Sequence, residues 1–318
     1  MVVSNPAKIA ISHAHSKVIL VGEHAVVYGQ PAIALPFPLK VTSTVEAHDG
    51  EVMLKCSYYH GPIKQVPLQF QGIVLCVKAT LAQLKEPFRN ITIRLHSDIP
   101  IGRGLGSSAA IAIAIVKSIF SYYERTISHK ELMDLVHVAE VYAHGNPSGI
   151  DMYAASRDVP IWFQKQGEMM SLPVGTSFHF VVADSGQSSD TLSAVQKVQE
   201  QSQLDPGKIK KSMEQIGRIT QMAKGALAKG DTHLLGKLLN ENHKELKTLG
   251  VSNDQLDHLI ENARNEGAIG AKLTGGGCGG CVIALAPSQG HAEKIAKKLR
   301  KAGVHQAWPF TLLKSSME

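Results

Sequence analysis

Pro100-Ile101-Gly102-Arg103-Gly104-Leu105-Gly106-Ser107-Ser108-Ala109-Ala110 is the stretch whose surroundings decide the fold. Ahead of it, Ile91 to Leu95 alternates as Ile-Thr-Ile-Arg-Leu, which predicts a half-buried strand. Behind it, Ala109 to Tyr123 is apolar nearly all round, which predicts a buried helix. Small residues between a strand and a helix let backbone N–H groups approach a phosphate, and the helix dipole adds partial positive charge; a tight turn without a ligand is the structural alternative. The residues also fit the dinucleotide pattern Gly-x-Gly-x-x-Ala, but that reading needs a strand after the helix, with an acidic residue at its end. A second helix follows instead, opening at the capping box Ser128-His129-Lys130-Glu131 and running to about Ala143. No glycine loop ends in Gly-Lys-Ser/Thr, so a P-loop is excluded. Strands and helices that come in runs without regular alternation indicate an α+β fold of two layered domains.

Toward the N-terminus, Lys17 to Gly22 reads as a strand, Pro31 to Pro38 as extended chain, and Val41 to Ala47 and Glu51 to Cys56 as alternating strands. Toward the C-terminus, Phe178 to Ser185 reads as a strand, followed by three or four helical stretches, the last from Ser252-Asn253 to Gly267. Then come a strand over Ala268 to Leu273, a glycine loop, a strand over Cys281 to Ala286, a helix to about Ala302 and a final strand from His305. The boundary falls near Ser171 to Ser177, giving domains 1–174 and 175–318.

With 318 residues, 44% hydrophobic and 19% charged, the chain has the composition of a folded protein and not of a disordered one. No apolar run approaches the roughly 20 residues that span a bilayer: the longest, Ala109 to Val116, stops at Lys117. No secretory pattern opens the sequence, and a cytoplasmic protein is expected. The net charge of +6 favours anionic ligands. Its local clusters, Lys208 to Lys211 and Lys297 to Lys301, lie in helix-like segments and read as solvated faces, with no nucleic-acid-binding module around them. Four cysteines are too few for a disulfide framework in a chain this long.

Three further segments carry chemistry. His144-Gly145-Asn146-Pro147-Ser148-Gly149-Ile150-Asp151 ends the second helix at a glycine and presents polar groups in a turn, where Asp151 is either a base for a hydroxyl or a cap. On the same helix Glu140 lies in an otherwise apolar setting and calls for a cation. His137, Glu140 and His144 do not have zinc spacing, whereas a carboxylate and a serine hydroxyl facing phosphate oxygens suit Mg²⁺. Lys17 with Gly22-Glu23-His24 gathers a cation, an acid and an imidazole at one strand-turn corner, although each alone reads equally as surface or packing. Lys272-Leu273-Thr274-Gly275-Gly276-Gly277-Cys278-Gly279-Gly280 is the strongest signal, because five glycines between two strands serve close backbone approach to a ligand better than packing. Cys278 and Cys281 read as packing residues, with a reversible disulfide across the loop as the alternative.

Lys17 to Gly29, Pro100 to Ala110 and Lys272 to Gly280, in this order, resemble the three motifs of the GHMP kinase superfamily, and most closely those of its mevalonate-phosphorylating members of bacterial type. The resemblance implies an N-terminal domain like domain 2 of ribosomal protein S5 and a C-terminal ferredoxin-like domain, with the active site in the cleft between them. It implies ATP as co-substrate, Mg²⁺ as cofactor, and transfer of the γ-phosphoryl group to the 5-hydroxyl of mevalonate on the route to isoprenoids. By the same resemblance, Asp151 is the catalytic base and Lys17 its cationic partner. Pro100, Gly102, Arg103, Gly104, Leu105, Gly106, Ser107, Ser108, Ala109, Gly275, Gly276 and Gly277 bind ATP, and Ser108 and Glu140 hold the metal. Glu23, His24, Ser148 and Thr191 lie near the acceptor. The partners implied are ATP and mevalonate, without nucleic acid or membrane, and a homodimer is a candidate assembly. Two rival readings are a kinase for a related acceptor, such as phosphomevalonate or another small hydroxy acid, and a non-catalytic sensor of ATP and a metabolite.

Overall fold

The structure is a computed structural model that describes residues 8–316 apart from Asn146, Gln166, Glu168 and Asp190, with the side chains of Thr191 and Leu192 also outside the description. The chain forms two compact units that interleave in sequence: residues up to 16, 38–100 and 106–156 form the first, and residues 17–37, 101–105 and those from 157 onward form the second.

β1 (Ile9–Val21) begins well before the Lys17 expected from its apolar run, because its first half alternates exposed Ile9 and Ile11 with buried Ala10. It pairs with β2 (Ala32–Glu51), which is continuous where the sequence suggested separate segments. Pro36 and Pro38 sit between the stretch of β2 that pairs with β6 and the stretch that pairs with β5, where a missing N–H breaks neither ladder. In the first unit, β3 (Met53–Cys56), β4 (Tyr59–Pro62) and β5 (Arg89–Ser97) complete a sheet, with β5 antiparallel to β2 from Val41↔Ser97 to Ala47↔Ile91. The helices α1 (Gln71–Leu84), α2 (Ser107–Tyr122) and α3 (His129–His144) pack together, and Val77, Leu81, Ile115 and Ile119 join Val45, Leu54, Ile91 and Ile93 in one core. α3 starts at the expected capping box: the Ser128 hydroxyl accepts from Glu131 N, and the Glu131 carboxylate accepts from Ser128 N. The short helix α4 (Ile150–Ala155) packs against α2 and α3.

The second unit holds the short strands β6 (Ile161–Phe163) and β7 (Met169–Ser171), then β8 (Phe178–Asp184). Four helices follow: α5 (Thr191–Leu204), α6 (Pro206–Lys229), α7 (Thr232–Thr248) and α8 (Asp254–Asn265). β9 (Gly270–Thr274), β10 (Cys281–Ala286), α9 (Gln289–Lys301) and β11 (Gln306–Leu312) finish the chain. The antiparallel sheet runs β11-β8-β10-β9, so by chain order its strands lie fourth, first, third and second, the ferredoxin-like arrangement. Period-two alternation divides its residues: Val181, Ala183, Val282, Ala284 and Leu273 face the helical core with Ile260, Ile295 and Leu299, whereas Phe310 and Trp308 meet Phe37 edge-on at 5.1 and 6.0 Å between ring centroids. No helix among the described residues is long and apolar enough to cross a membrane.

Candidate active site

Lys17 stands in the middle of β1, 2% exposed. Its backbone N–H donates to Leu105 O at 3.2 Å and its Nζ donates to Gly104 O at 3.0 Å, so the first motif holds the second glycine loop by both backbone and side chain. β1 also holds the third motif: the Thr274 hydroxyl donates to Ile19 O at 2.8 Å and lies 3.1 Å from Ile19 N as its acceptor.

Beyond β1 the chain turns at Gly22, whose φ is +102° and where a Cβ would stand 2.4 Å from Ala32 Cα, so only glycine fits. The turn delivers Glu23 and His24 inward. His24 Nε2 lies 2.8 Å from Gly276 O; a carbonyl only accepts, so Nε2 carries the hydrogen. Burial holds the His24 imidazole below its ordinary range. Glu23, 1% exposed, forms a salt bridge with Lys272, which is fully buried and also donates to Leu273 O at 2.6 Å. Burial pushes the Glu23 carboxyl up and the Lys272 ammonium down, and their pairing opposes both shifts.

The two glycine loops approach closely: a Cβ on Gly275 would lie 3.2 Å from both Cα and O of Gly104. A third segment, Asp184 to Ser189, stitches them. Arg103 Nε donates to Oδ2 of fully buried Asp184 at 2.9 Å, and its guanidinium also reaches Gly186 O at 3.1 Å. Ser189 N donates to Gly102 O at 2.8 Å, and the Ser189 hydroxyl donates to Gly277 O at 3.0 Å. Sequence reasoning missed this segment, although the run Asp-Ser-Gly-Gln-Ser-Ser directly after a buried strand was an available signal. Cys278 has a φ of +57° and donates its backbone N–H to Val251 O at 2.7 Å; Cys281 lies inside β10, where burial pushes its thiol far up, and both cysteines are free.

The first unit contributes helix ends. Pro100 leads into the loop, and α2 opens at Gly106 with no side-chain cap, so the amides of Ser107, Ser108 and Ala109 stand at an uncapped terminus. The Ser107 hydroxyl is buried without a hydrogen-bond partner. Near the C-terminal end of α3, Glu140 is 1% exposed, with Oε2 3.9 Å from His144 Nε2. Asp151 occupies the first turn of α4, and the Ser148 hydroxyl accepts from Ile150 N at 3.4 Å just before it.

The second unit therefore brings together Lys17, Glu23, His24, Gly102 to Leu105 and Gly275 to Gly277. The first unit holds Ser107 to Ala109, Glu140 and Asp151 on three mutually packed helices, with Gly106 just ahead of α2 and Ser148 just ahead of α4. Thr191 opens α5, and its side chain is outside the description, as are Asn146 and Asp190.

Residues 72–157 match the GHMP kinases N terminal domain and residues 223–305 the GHMP kinases C terminal family. A mevalonate kinase of Thermococcus sibiricus is 32% identical over 92% of this chain and 93% of its own. Among solved structures, L. major mevalonate kinase in complex with R-mevalonate superposes with a TM-score of 0.84 at 26% identity, covering 99% of this chain and 98% of that one. Methanococcus jannaschii mevalonate kinase does so with a TM-score of 0.82 at 25% identity, covering 98% and 100%. Sequence relatives from Thermococcus, Pyrococcus and Methanothermobacter are archaeal, so the bacterial type expected from the motifs finds no support in them.

Proposed function

The chain belongs to the GHMP kinases, in the mevalonate kinase family, and from that membership we propose that it transfers the γ-phosphoryl group of ATP to the 5-hydroxyl of mevalonate, an early step toward isoprenoids. The observation that carries the reading is the convergence of the first motif on both glycine loops, through Lys17 on Gly104 O and His24 on Gly276 O. Phosphoryl transfer asks a protein mainly to position two reactants and to stabilise charge on the migrating group. Loops stitched this closely present backbone rather than side chains, as a triphosphate requires.

In this reading Asp151 accepts the proton of the mevalonate hydroxyl, and Lys17 adds positive charge for the transferring phosphoryl group. Pro100, Gly102 to Ala109 and Gly275 to Gly277 hold ATP. Glu23, His24, Ser148 and Thr191 serve the acceptor. The residues present fit Mg²⁺: Glu140 offers a buried carboxylate, and the Ser107 hydroxyl beside Ser108 is buried and unpartnered at the open end of α2. Ser108 and Glu140 would hold the cation; no three His, Cys, Asp or Glu converge among the described residues, which suits an ion that takes its other ligands from phosphate and water. When bound, Mg²⁺ supplies neutralisation of phosphate charge. The reading extends to a cytoplasmic enzyme, to a homodimer as its assembly, and to family domains that divide at about residue 174.

The test is ADP release from Mg-ATP with mevalonate, phosphomevalonate, homoserine and galactose offered separately. Turnover is expected with mevalonate alone, and Asp151→Asn is expected to lower kcat by about 10³-fold or more while ATP still binds. Near-normal turnover in the variant would remove Asp151 from the mechanism; ATP binding without turnover on any acceptor would favour a sensor.

A further inference from the structure

In the most heavily buried ion pair among the described residues of the second unit, Glu23–Lys272, the lysine has no part in the mechanism above. Lys272 opens the third motif on β9, with no exposed surface, and its ammonium has two acceptors, Glu23 Oε1 and Leu273 O. Glu23 Oε2 is buried with no hydrogen-bond partner, so the side-chain hydrogen bond to Lys272 engages one oxygen of the carboxylate and leaves the other free. Burying a lysine that serves only packing is costly, and apolar residues of similar volume do as well. A buried lysine that aims one oxygen of a carboxylate and leaves the other unengaged is a different device.

The protein also braces β9 from behind. β9 is the edge strand of its sheet, and Asn240 of α7 reaches it as a strand would: Asn240 Oδ1 accepts from Ala271 N at 3.0 Å and Nδ2 donates to Ile269 O at 3.4 Å. Three residues on, His243 is 4% exposed and close enough for the Lys272 charge to act on it. Asp257 Oδ1 lies 3.1 Å from His243 Nε2 and accepts from the Ser252 hydroxyl at 2.6 Å. A carboxylate on Nε2 selects the tautomer with its hydrogen there, leaving Nδ1 as a bare acceptor, buried and unpartnered. Burial brings this imidazole down to about 4, so at neutral pH it adds no second positive charge beside the ammonium.

We propose that Lys272 is a positioning residue for the acceptor: its ammonium, held on β9 and braced there by Asn240, aims the Glu23 carboxylate, whose free oxygen then meets a hydroxyl of the substrate. The proposal rests on the reading of Glu23 as an acceptor-side residue of a mevalonate-phosphorylating enzyme. It makes the effect of Lys272 conditional on Glu23, which a purely structural lysine would not be.

The test is a double-mutant cycle of Lys272→Met and Glu23→Gln on the full chain, with KM for mevalonate and for ATP measured separately. Lys272→Met is expected to raise KM for mevalonate about tenfold or more and to change KM for ATP less than about twofold. In the Glu23→Gln background, adding Lys272→Met is expected to raise KM for mevalonate less than about twofold further. Should Lys272→Met alone fail to fold, the double variant still decides the matter against Glu23→Gln, because it leaves no unpaired buried charge. Independent, multiplying effects of the two substitutions, or equal rises in both KM values, overturn the proposal. Absence of wild-type turnover on mevalonate refutes the functional reading and this proposal together; normal wild-type turnover with an unaltered KM in Lys272→Met refutes this proposal alone.

Discussion

The helix ends of the first unit and the loops of the second carry their candidate site residues in opposite ways. Asp151, Glu140 and Ser108 sit on α4, α3 and α2, helices fixed by packing against one another, so each offers a side chain from a rigid element. Gly102 to Leu105 and Gly275 to Gly280 have no regular structure; bonds arriving from Lys17, His24 and Ser189 hold them, and what they offer is backbone. The difference teaches where substitutions should hurt. Proton transfer and metal binding need a particular side chain on a firm base, whereas a triphosphate needs amides and an absence of side chains.

The largest effect on stability is expected where a buried carboxylate relies on one arginine. Arg103→Met leaves fully buried Asp184 with the Gly186 N–H at 2.8 Å but without its arginine, so it should destabilise the second unit by about 3 kcal/mol in urea unfolding. An unchanged midpoint would mean that the loop is held by its backbone bonds alone. Gly275→Val places a side chain where Gly104 already approaches, at a φ of +81°. It should raise KM for ATP by about tenfold with a smaller change in KM for mevalonate, and a selective loss of mevalonate affinity would assign the loop to the acceptor instead. The smallest effect belongs to the first unit: Ser128→Ala removes the cap of α3 and should cost about 1 kcal/mol in thermal unfolding. Because Glu140 is held by packing near the other end of that helix, kcat should stay within about twofold; a marked fall would show that the side chain depends on the cap.

Local signals were legible in the sequence and long-range associations were not. The capping box at Ser128, the all-round apolar α2 and the strand at Cys281–Ala286 fell where their patterns placed them, because each is set by neighbours in sequence. The sequence divides β2 into extended chain over Pro31 to Pro38 and an alternating strand over Val41 to Ala47, because the pairing that carries one strand through both is not local. Nothing local showed that residues 17–37 and 101–105 would pack with everything after 157, nor that Asp184 would receive Arg103 from 81 positions away. The glycine motifs announced close approach to a ligand. Their approach to each other depends on tertiary pairing that no spacing encodes.

The packing of Trp308 against Phe37 has an optical consequence. The chain has two tryptophans, and both Trp162 and Trp308 belong to the second unit, Trp162 with the Lys224 ammonium 4.8 Å from its ring centroid. Intrinsic indole emission therefore reports on that unit alone, and the melting of the helices bearing Asp151 and Glu140 is dark to it. A fluorescence transition that precedes or trails the loss of far-ultraviolet ellipticity would separate the two units without any label.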